Sequence, residues 1–380
     1  MATALAPDLS NRERVAVAVP PARRAFSPRR LLSAAGLGSA LTLVCLWVLW
    51  RTGPGKVPYL ADFEQAARSW PNSALPPYSQ YILRVPLGQL LYRILPQHSP
   101  AIFLMLHAAC LLLAAALLGS WLCRRLGRSA GLVAAMVIVL APVTAVLLLW
   151  IGMYDAFSIL VWVAVLIALS QRGGWQFAAA VLAGLQDFEQ MAVGLAIVVL
   201  VPQLAKAAGL RPRTMPLLVG VLVGKGMLEV YLHLAGAGTG SRLSYLLRWD
   251  MVSGLVGSSL SDVSLLLWSA LAGLWGFALK ALYDSWGGWS PHRQAGLVLA
   301  AVLWLGSSVL SADHTRVLVL TSFPAVVMGA MAIGARWPRL RDLLRLPQTW
   351  LLLLAPPVVL LDYTTVQMGI KPGTWGVWIF

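Results

Sequence analysis

The sequence predicts an all-α, polytopic transmembrane helix bundle, and three observations predict it. The 380-residue chain is 59% hydrophobic and only 11% charged, with mean hydropathy +0.76, whereas a soluble domain carries about 25% charged residues. Apolar runs such as Leu31–Trp50, Ala101–Cys123 and Ala130–Trp150 are about 20 residues long, enough to cross a hydrocarbon core near 30 Å. Short basic loops separate these runs, as expected where Lys and Arg hold loops on the cytoplasmic side.

In chain order, residues 1–30 are rich in Ala, Pro and Arg without hydrophobic periodicity and read as a disordered, basic cytoplasmic tail. Residues 31–380 then form the transmembrane domain. Its first span, Leu31–Trp50, leaves the cytoplasm, and residues 51–100 make the longest polar connection, the first extracytoplasmic loop. Within that loop, Tyr78–Leu95 mixes Arg84 and Arg93 with Leu, Ile and Tyr, the pattern of an amphipathic helix lying in the interface. Spans at Ala101–Cys123, Ala130–Trp150 and Ala156–Ser170 follow. Two apolar halves, Trp175–Leu185 and Met191–Leu204, flank Gln186-Asp187-Phe188-Glu189-Gln190. A single span there would leave Lys206, Arg211 and Arg213 outside, against the positive-inside rule, so two short spans are expected, with Asp187 and Glu189 on the floor of a pocket between them. Pro216–Leu234, Val263–Leu279, Ala295–Leu310, Val317–Ala335 and Leu346–Leu361 complete about eleven spans (range 9–12), N-terminus cytoplasmic and C-terminus outside. The chain is thus expected as a multi-pass protein of the inner (plasma) membrane.

Charge patterning separates the two sides. On this topology 19 of the 29 Lys and Arg face inward, while nine of the 14 acids face outward and Glu229 lies within a span. The net charge of +15 comes from scattered loop residues, and no contiguous basic surface exists to neutralise nucleic-acid phosphates. Cys45, Cys110 and Cys123 sit in or at the end of apolar runs without paired or metal-ligand spacing and read as small core residues. A charged side chain at bilayer depth costs at least about 2.5 kcal/mol, so the outward clustering of acids points to an active site.

Asp62-Phe63-Glu64, in the first outer loop, pairs two carboxylates that suit a general base for a hydroxyl acceptor, or ligands for a divalent cation such as Mg or Mn. Asp187-Phe188-Glu189 repeats the acid-Phe-acid pattern at membrane depth, where acids bind sugar hydroxyls or a metal; Asp155, after Trp150-Ile151-Gly152-Met153-Tyr154, suits the same role. In Asp313-His314-Thr315-Arg316, Arg316 suits a bidentate clamp on a lipid-linked phosphate and His314 suits stabilisation of a leaving phosphate; an Asp313–Arg316 ion pair capping the helix is the structural alternative. Lys225 and Glu229, four residues apart on one helix face, read as a helix-packing ion pair. No Gly-rich phosphate loop, HExxH or GxSxG appears, and the five His are too sparse for a zinc cluster.

A first large outer loop carrying Asp62-x-Glu64, followed by many spans with acids at their outer ends, resembles the GT-C superfamily of integral-membrane glycosyltransferases. The resemblance spans the chain at the level of architecture. It implies sugar transfer from a polyprenyl-phosphate donor to a glycan or lipid acceptor on the extracytoplasmic face. Asp62 or Glu64 would be the base of an inverting reaction, and Asp155, Asp187, Glu189, Asp313, His314 and Arg316 would line the substrate site. Two alternatives stand beside it: a multi-span transporter or flippase using Asp187–Glu189 and Lys225–Glu229 within a central pathway, and an O-antigen-polymerase-like enzyme.

Overall fold

Helices account for nearly all of the structure, a computed structural model that describes residues 28–52, 60–72, 82–237, 249–261, 263–311, 313–354, 358–361, 365–368 and 378–379. Residues 1–27 of the expected tail lie outside the described residues. The elements are α1 Pro28–Thr52, α2 Leu60–Ser69, α3 Pro86–Arg93, α4 Pro100–Leu126, α5 Arg128–Leu140, α6 Pro142–Leu149, α7 Asp155–Ala168, α8 Gly173–Leu200, α9 Pro202–Ala207 and α10 Thr214–Leu234. They continue with α11 Trp249–Ser261, α12 Val263–Leu271, α13 Trp275–Ser285, α14 Pro291–Val309, α15 His314–Arg336, α16 Leu340–Leu344 and α17 Pro347–Leu354.

By length and composition alone, five stretches are long and apolar enough to cross a bilayer: α4, α8 taken as one helix across its break, α10, Val263–Gly288 and α15; a sixth is α5 with α6 if that pair, bent by 58° at Ala141, is one span. The apolar faces of α4 (Met105, Leu112, Leu113), α10 (Leu222, Met227, Val230) and α14 (Val298, Leu299, Val302) are exposed, which is what a lipid solvent rewards and water does not. The protein is therefore a membrane protein. Helix α15 is the axis, buried on nearly every face and packed against α4 through α9, α12 and α14.

The last expected span, Leu346–Leu361, does not form. Helix α17 stops at Leu354, just before Ala355-Pro356-Pro357. Proline lacks the amide that would continue the helix and pushes its predecessor out of the helical region. Val358–Leu361, Thr365–Met368 and Trp378–Ile379 instead pair in order as a small antiparallel sheet. Of the amphipathic stretch expected over Tyr78–Leu95, residues 78–81 lie outside the described residues; over the rest, a 3-10 turn at Ile82–Arg84 leads to α3, which begins on Pro86 and buries Gly88, Gln89 and Tyr92.

Helix α8 decides how the polar groups are arranged. Its 28 residues contain a break at Asp187 (φ −162, ψ 75). The first half runs beside α10, where glycines on both helices allow backbone contact: a methyl at Gly184 would enter the carbonyl oxygen of Val221, one at Gly224 that of Val181, and one at Gly220 would lie 2.6 Å from that of Phe177. The second half runs back. Gly194 packs against Trp162, halfway down α7, and Thr321, a third of the way along α15, and Gly296 near the start of α14 abuts the Leu200 carbonyl. Past α9 the chain returns to the start of α8, where Arg211 N donates to Leu169 O (3.2 Å), Gln176 Nε2 to Arg211 O (3.0 Å) and Arg213 N to Gln176 Oε1 (2.8 Å). Each half is about 20 Å long at 1.5 Å per residue, and the tip at Asp187 lies toward the opposite end.

That foot of the bundle is basic. Arg125 at the end of α4 bonds the Gly209 carbonyl, and Arg124, Arg128, Arg172, Lys206, Arg211 and Arg213 surround it. Because the α8–α10 contact leaves no room for a side chain, Gly184→Ala is expected to cost about 1–3 kcal/mol through overpacking. Thermal unfolding of the purified protein in detergent measures it, with Gly226→Ala, where nothing lies within 4 Å, as the matched control; equal loss in both would refute the close contact.

Candidate functional site

At the other end of the bundle, the carboxylates singled out in the sequence divide by what holds them. Asp62 and Glu64 sit on α2, not in a loop; the Ala-rich stretch and the Glu64–Arg68 spacing favour a helix. Two residues apart on a helix means about 200° of rotation, so they face opposite ways and form neither a shared base nor a pair of metal ligands. Asp62, in the first turn, is exposed. Glu64 is buried and accepts hydrogen bonds from Arg68 Nε and the Tyr92 hydroxyl. Burial, then the bond to Glu64 and its charge, push the Tyr92 phenol to about 12, so at neutral pH it stays protonated and donates. The same bond to Glu64 raises Arg68 above its usual value. Glu64 thereby ties α2 to α3, and the rings of Tyr92 and Phe103 meet edge to face at 5.0 Å.

Asp155 and Arg316 form the most deeply buried ion pair described, with side chains 1% and 3% exposed. Arg316 Nε donates to Asp155 Oδ2 (2.6 Å), Nη2 to Asp155 Oδ1 (2.9 Å) and Nη1 to Asp313 Oδ2 (2.8 Å). The guanidinium also lies 4.3 Å over the Tyr154 ring. Three of its five N–H groups are thus committed, and the two ends of α7 and α15 are locked together. His314 is buried; its Nδ1 meets Ser308 O at 2.9 Å and its carbonyl accepts from Ser308 Oγ at 2.9 Å, fastening α14 to α15.

The tip of α8 carries the second acid pair. Asp187 is buried at the break, while Glu189 is 40% exposed and 3.6 Å from Lys225. Lys225 also pairs with Glu229 (2.8 Å), which accepts from Arg84 Nε at 2.8 Å; its ammonium lies 5.4 Å from the Phe188 ring centroid. The expected helix-packing pair is therefore the middle of a four-residue network joining the first outer segment, α10 and the α8 tip. Gln186 Oε1 accepts from Leu87 N (3.1 Å), a further tie between that segment and the tip.

Polar groups without partners continue from this end into the core. Ser158 Oγ and Trp162 Nε1 on α7, and Gln186 Nε2 and Gln190 Oε1 on α8, are buried with no hydrogen bond among the described residues. Asp155, Ser158 and Trp162 share one helical face, as do Gln190 and Gly194 past the break. Since a methyl on Gly194 would lie 2.5 Å from the Trp162 ring, the two faces oppose each other as one polar seam. Above it lies a cavity of about 10 Å³ lined by Phe63, Ile82, Val85, Gly88, Gln89, Phe103, His107, Gly152 and Tyr154, close to the volume one water needs.

The structure thus brings Asp155, Asp313 and Arg316 into one cluster, seats Asp187 and Glu189 at the α8 tip, and leaves Asp62 accessible on α2. Tyr92, Gln89, Arg84 and His107 were not singled out from sequence; only His107, the one histidine of the apolar run Ala101–Cys123, carried a readable signal. Among the described residues no three His, Cys, Asp or Glu converge as metal ligands. No family model, curated protein or solved structure matches the chain.

Proposed function

We propose that the protein is a GT-C-type membrane glycosyltransferase that moves a sugar from a polyprenyl-phosphate donor to a glycan or lipid acceptor at the acid-bearing end of its bundle, outside the plasma membrane. The observation that carries this reading is the accessibility of Asp62. It stands on an interfacial helix after the first apolar helix, next to Phe63 of the cavity wall, while Glu64, Asp155, Asp313 and Glu189 are each engaged by a cation.

In this reading Asp62 takes the proton of the acceptor hydroxyl. The freed oxygen attacks the anomeric carbon, the bond from that carbon to the phosphate oxygen breaks, and polyprenyl phosphate leaves; configuration inverts. General-base assistance of this kind is worth about 10²–10⁴ in rate. Arg316, committed to Asp155 and Asp313, acts as organiser of the site rather than as phosphate clamp. The phosphate falls to other cations of the outer segments, for which Arg242 and Arg248, outside the described residues, are candidates. Asp187, Glu189 and the seam below them line the sugar side.

A second reading, a transporter or flippase, draws on the break in α8, because interrupted helices with acids at the break are how carriers build sites at membrane depth. Purified protein in liposomes with a radiolabelled polyprenyl-phosphate sugar separates the two. Label appearing on an acceptor, with release of polyprenyl phosphate, supports transfer. Label crossing the bilayer with its phosphate linkage intact supports transport and sinks the transferase.

A further inference from the structure

Three arginines at the basic foot of the bundle are brought together without a counter-charge. Arg172 caps the start of α8, and Arg211 and Arg213 lie on the segment that leads into α10. Backbone hydrogen bonds staple the two segments. Arg211 N donates to Leu169 O, and the buried Gln176 amide joins Arg211 O to Arg213 N. Arg125 fastens α4 to the same turn through the Gly209 carbonyl. The Arg213 guanidinium lies over the start of α8, where a methyl on Gly173 would meet its Nη1 at 3.2 Å. The main chain thus fixes where these cations stand, while the residues themselves are exposed.

No carboxylate pairs with Arg172, Arg211 or Arg213 among the described residues. Asp284 and Asp342, at the same end, each have a cation of their own: Lys280 at 2.5 Å and Arg341 at 3.5 Å. Exposed Arg124, Arg128 and Lys206 add to the positive field. Like charges gathered on stapled turns repel one another, and an anion among them relieves the repulsion. Orienting the chain in a membrane calls only for cations on one side. Guanidiniums held on adjacent turns do more, because each matches two phosphate oxygens at once.

The apolar residues beside the cations narrow the occupant. Trp175 on α8 and Met215 on α10 are 67% and 68% exposed, and Leu218 and Leu222 continue the apolar face of α10 away from the foot. A water-soluble acidic partner would leave that rim in water. A lipid brings a phosphate to the arginines and acyl chains to the rim. We propose that Arg172, Arg211 and Arg213 hold the phosphate of an anionic phospholipid in the leaflet at this end of the bundle, its acyl chains lying against Trp175 and Met215. The site stands apart from the acid-bearing end and does not depend on sugar transfer there.

The test uses the full-length protein in neutral detergent and measures retained lipid by native mass spectrometry. Phosphatidylglycerol is the probe, phosphatidylcholine the zwitterionic comparison, and glycerol phosphate the headgroup without its chains. The wild type should retain phosphatidylglycerol more tightly than phosphatidylcholine. A cation at an anionic bilayer surface is worth about fivefold in binding, so Arg172→Gln with Arg213→Gln should weaken phosphatidylglycerol by about 25-fold. Lys280→Gln, which removes a cation already paired with Asp284, should change nothing. Arg211→Gln alone, expected to lose about fivefold, replaces the double variant if that fails to fold. Equal retention of the two lipids by the wild type, or wild-type retention of phosphatidylglycerol by the arginine variants, refutes the site. Displacement of the bound lipid by glycerol phosphate at equal concentration would reveal a free-phosphate site and overturn the lipid assignment. Displacement by poly-glutamate, the probe for a soluble acidic partner, would overturn it too.

Discussion

Asp62→Asn is expected to lower sugar transfer by about 10²–10⁴-fold, the usual contribution of a general base, with the protein folded and its donor affinity unchanged. The amide fills the same volume on an exposed turn of α2, so no packing is lost and only the proton acceptor disappears. Glu64→Gln is the contrasting variant. Its carboxylate receives Arg68 and Tyr92, and hydrogen bonds to a charged group are worth about 1.5–3 kcal/mol; the variant should melt earlier yet transfer sugar at close to the normal rate per folded molecule. Initial rates at saturating donor and a thermal unfolding curve, taken on both proteins, decide the matter. Full activity in Asp62→Asn would remove Asp62 as the base, and a rate collapse in Glu64→Gln with unchanged stability would move the role to Glu64.

Arg316→Ala should destabilise the protein by about 3–5 kcal/mol, because it strands a carboxylate that is almost wholly buried. Asp155 is 1% exposed and both of its oxygens accept from the same guanidinium. Arg316→Lys should rescue little, since an ammonium reproduces the charge but not the two-pronged geometry. The paired replacement Arg316→Met with Asp155→Leu separates a structural lock from a substrate contact. Removing both charges of a buried pair is often neutral for stability, so the double variant should recover most of the wild-type unfolding temperature. If Arg316 only organises the site, activity returns with stability; if it grips the donor phosphate, the double variant stays inactive although folded. An unchanged unfolding temperature in Arg316→Ala would contradict the buried pair itself.

Local patterns carried much of the architecture into view. The apolar run at Ala101–Cys123, the Lys225–Glu229 spacing and the Asp313–Arg316 spacing each reappear in the structure, as α4 and as ion pairs of 2.8 Å, because each depends on neighbours within a turn or a run. The break at Asp187 between two apolar halves was likewise readable, from the basic residues that follow them. Contacts between distant segments were not. Asp155 and Arg316 are 161 residues apart, and Arg84 and Glu229 are 145 apart; no local period encodes either meeting. The setting of Asp62 and Glu64, on a helix rather than in a loop, was missed for a nearer reason. A helix that lies in an interface is too short and too polar to register as a span, and two acids two residues apart look convergent until the helical rotation turns them away from each other.

The reversal in α8 also bears on how the chain enters the membrane. A helical pair whose two feet share the basic end requires no hydrophilic loop to be carried across: only Gln186-Asp187-Phe188-Glu189-Gln190 travels inward, and the flanking Gly184, Gly220 and Gly224 contacts give it α10 as an immediate partner. Residues 173–234 are therefore expected to insert as one unit, because Lys225 of α10 is what pairs Glu189 at the tip.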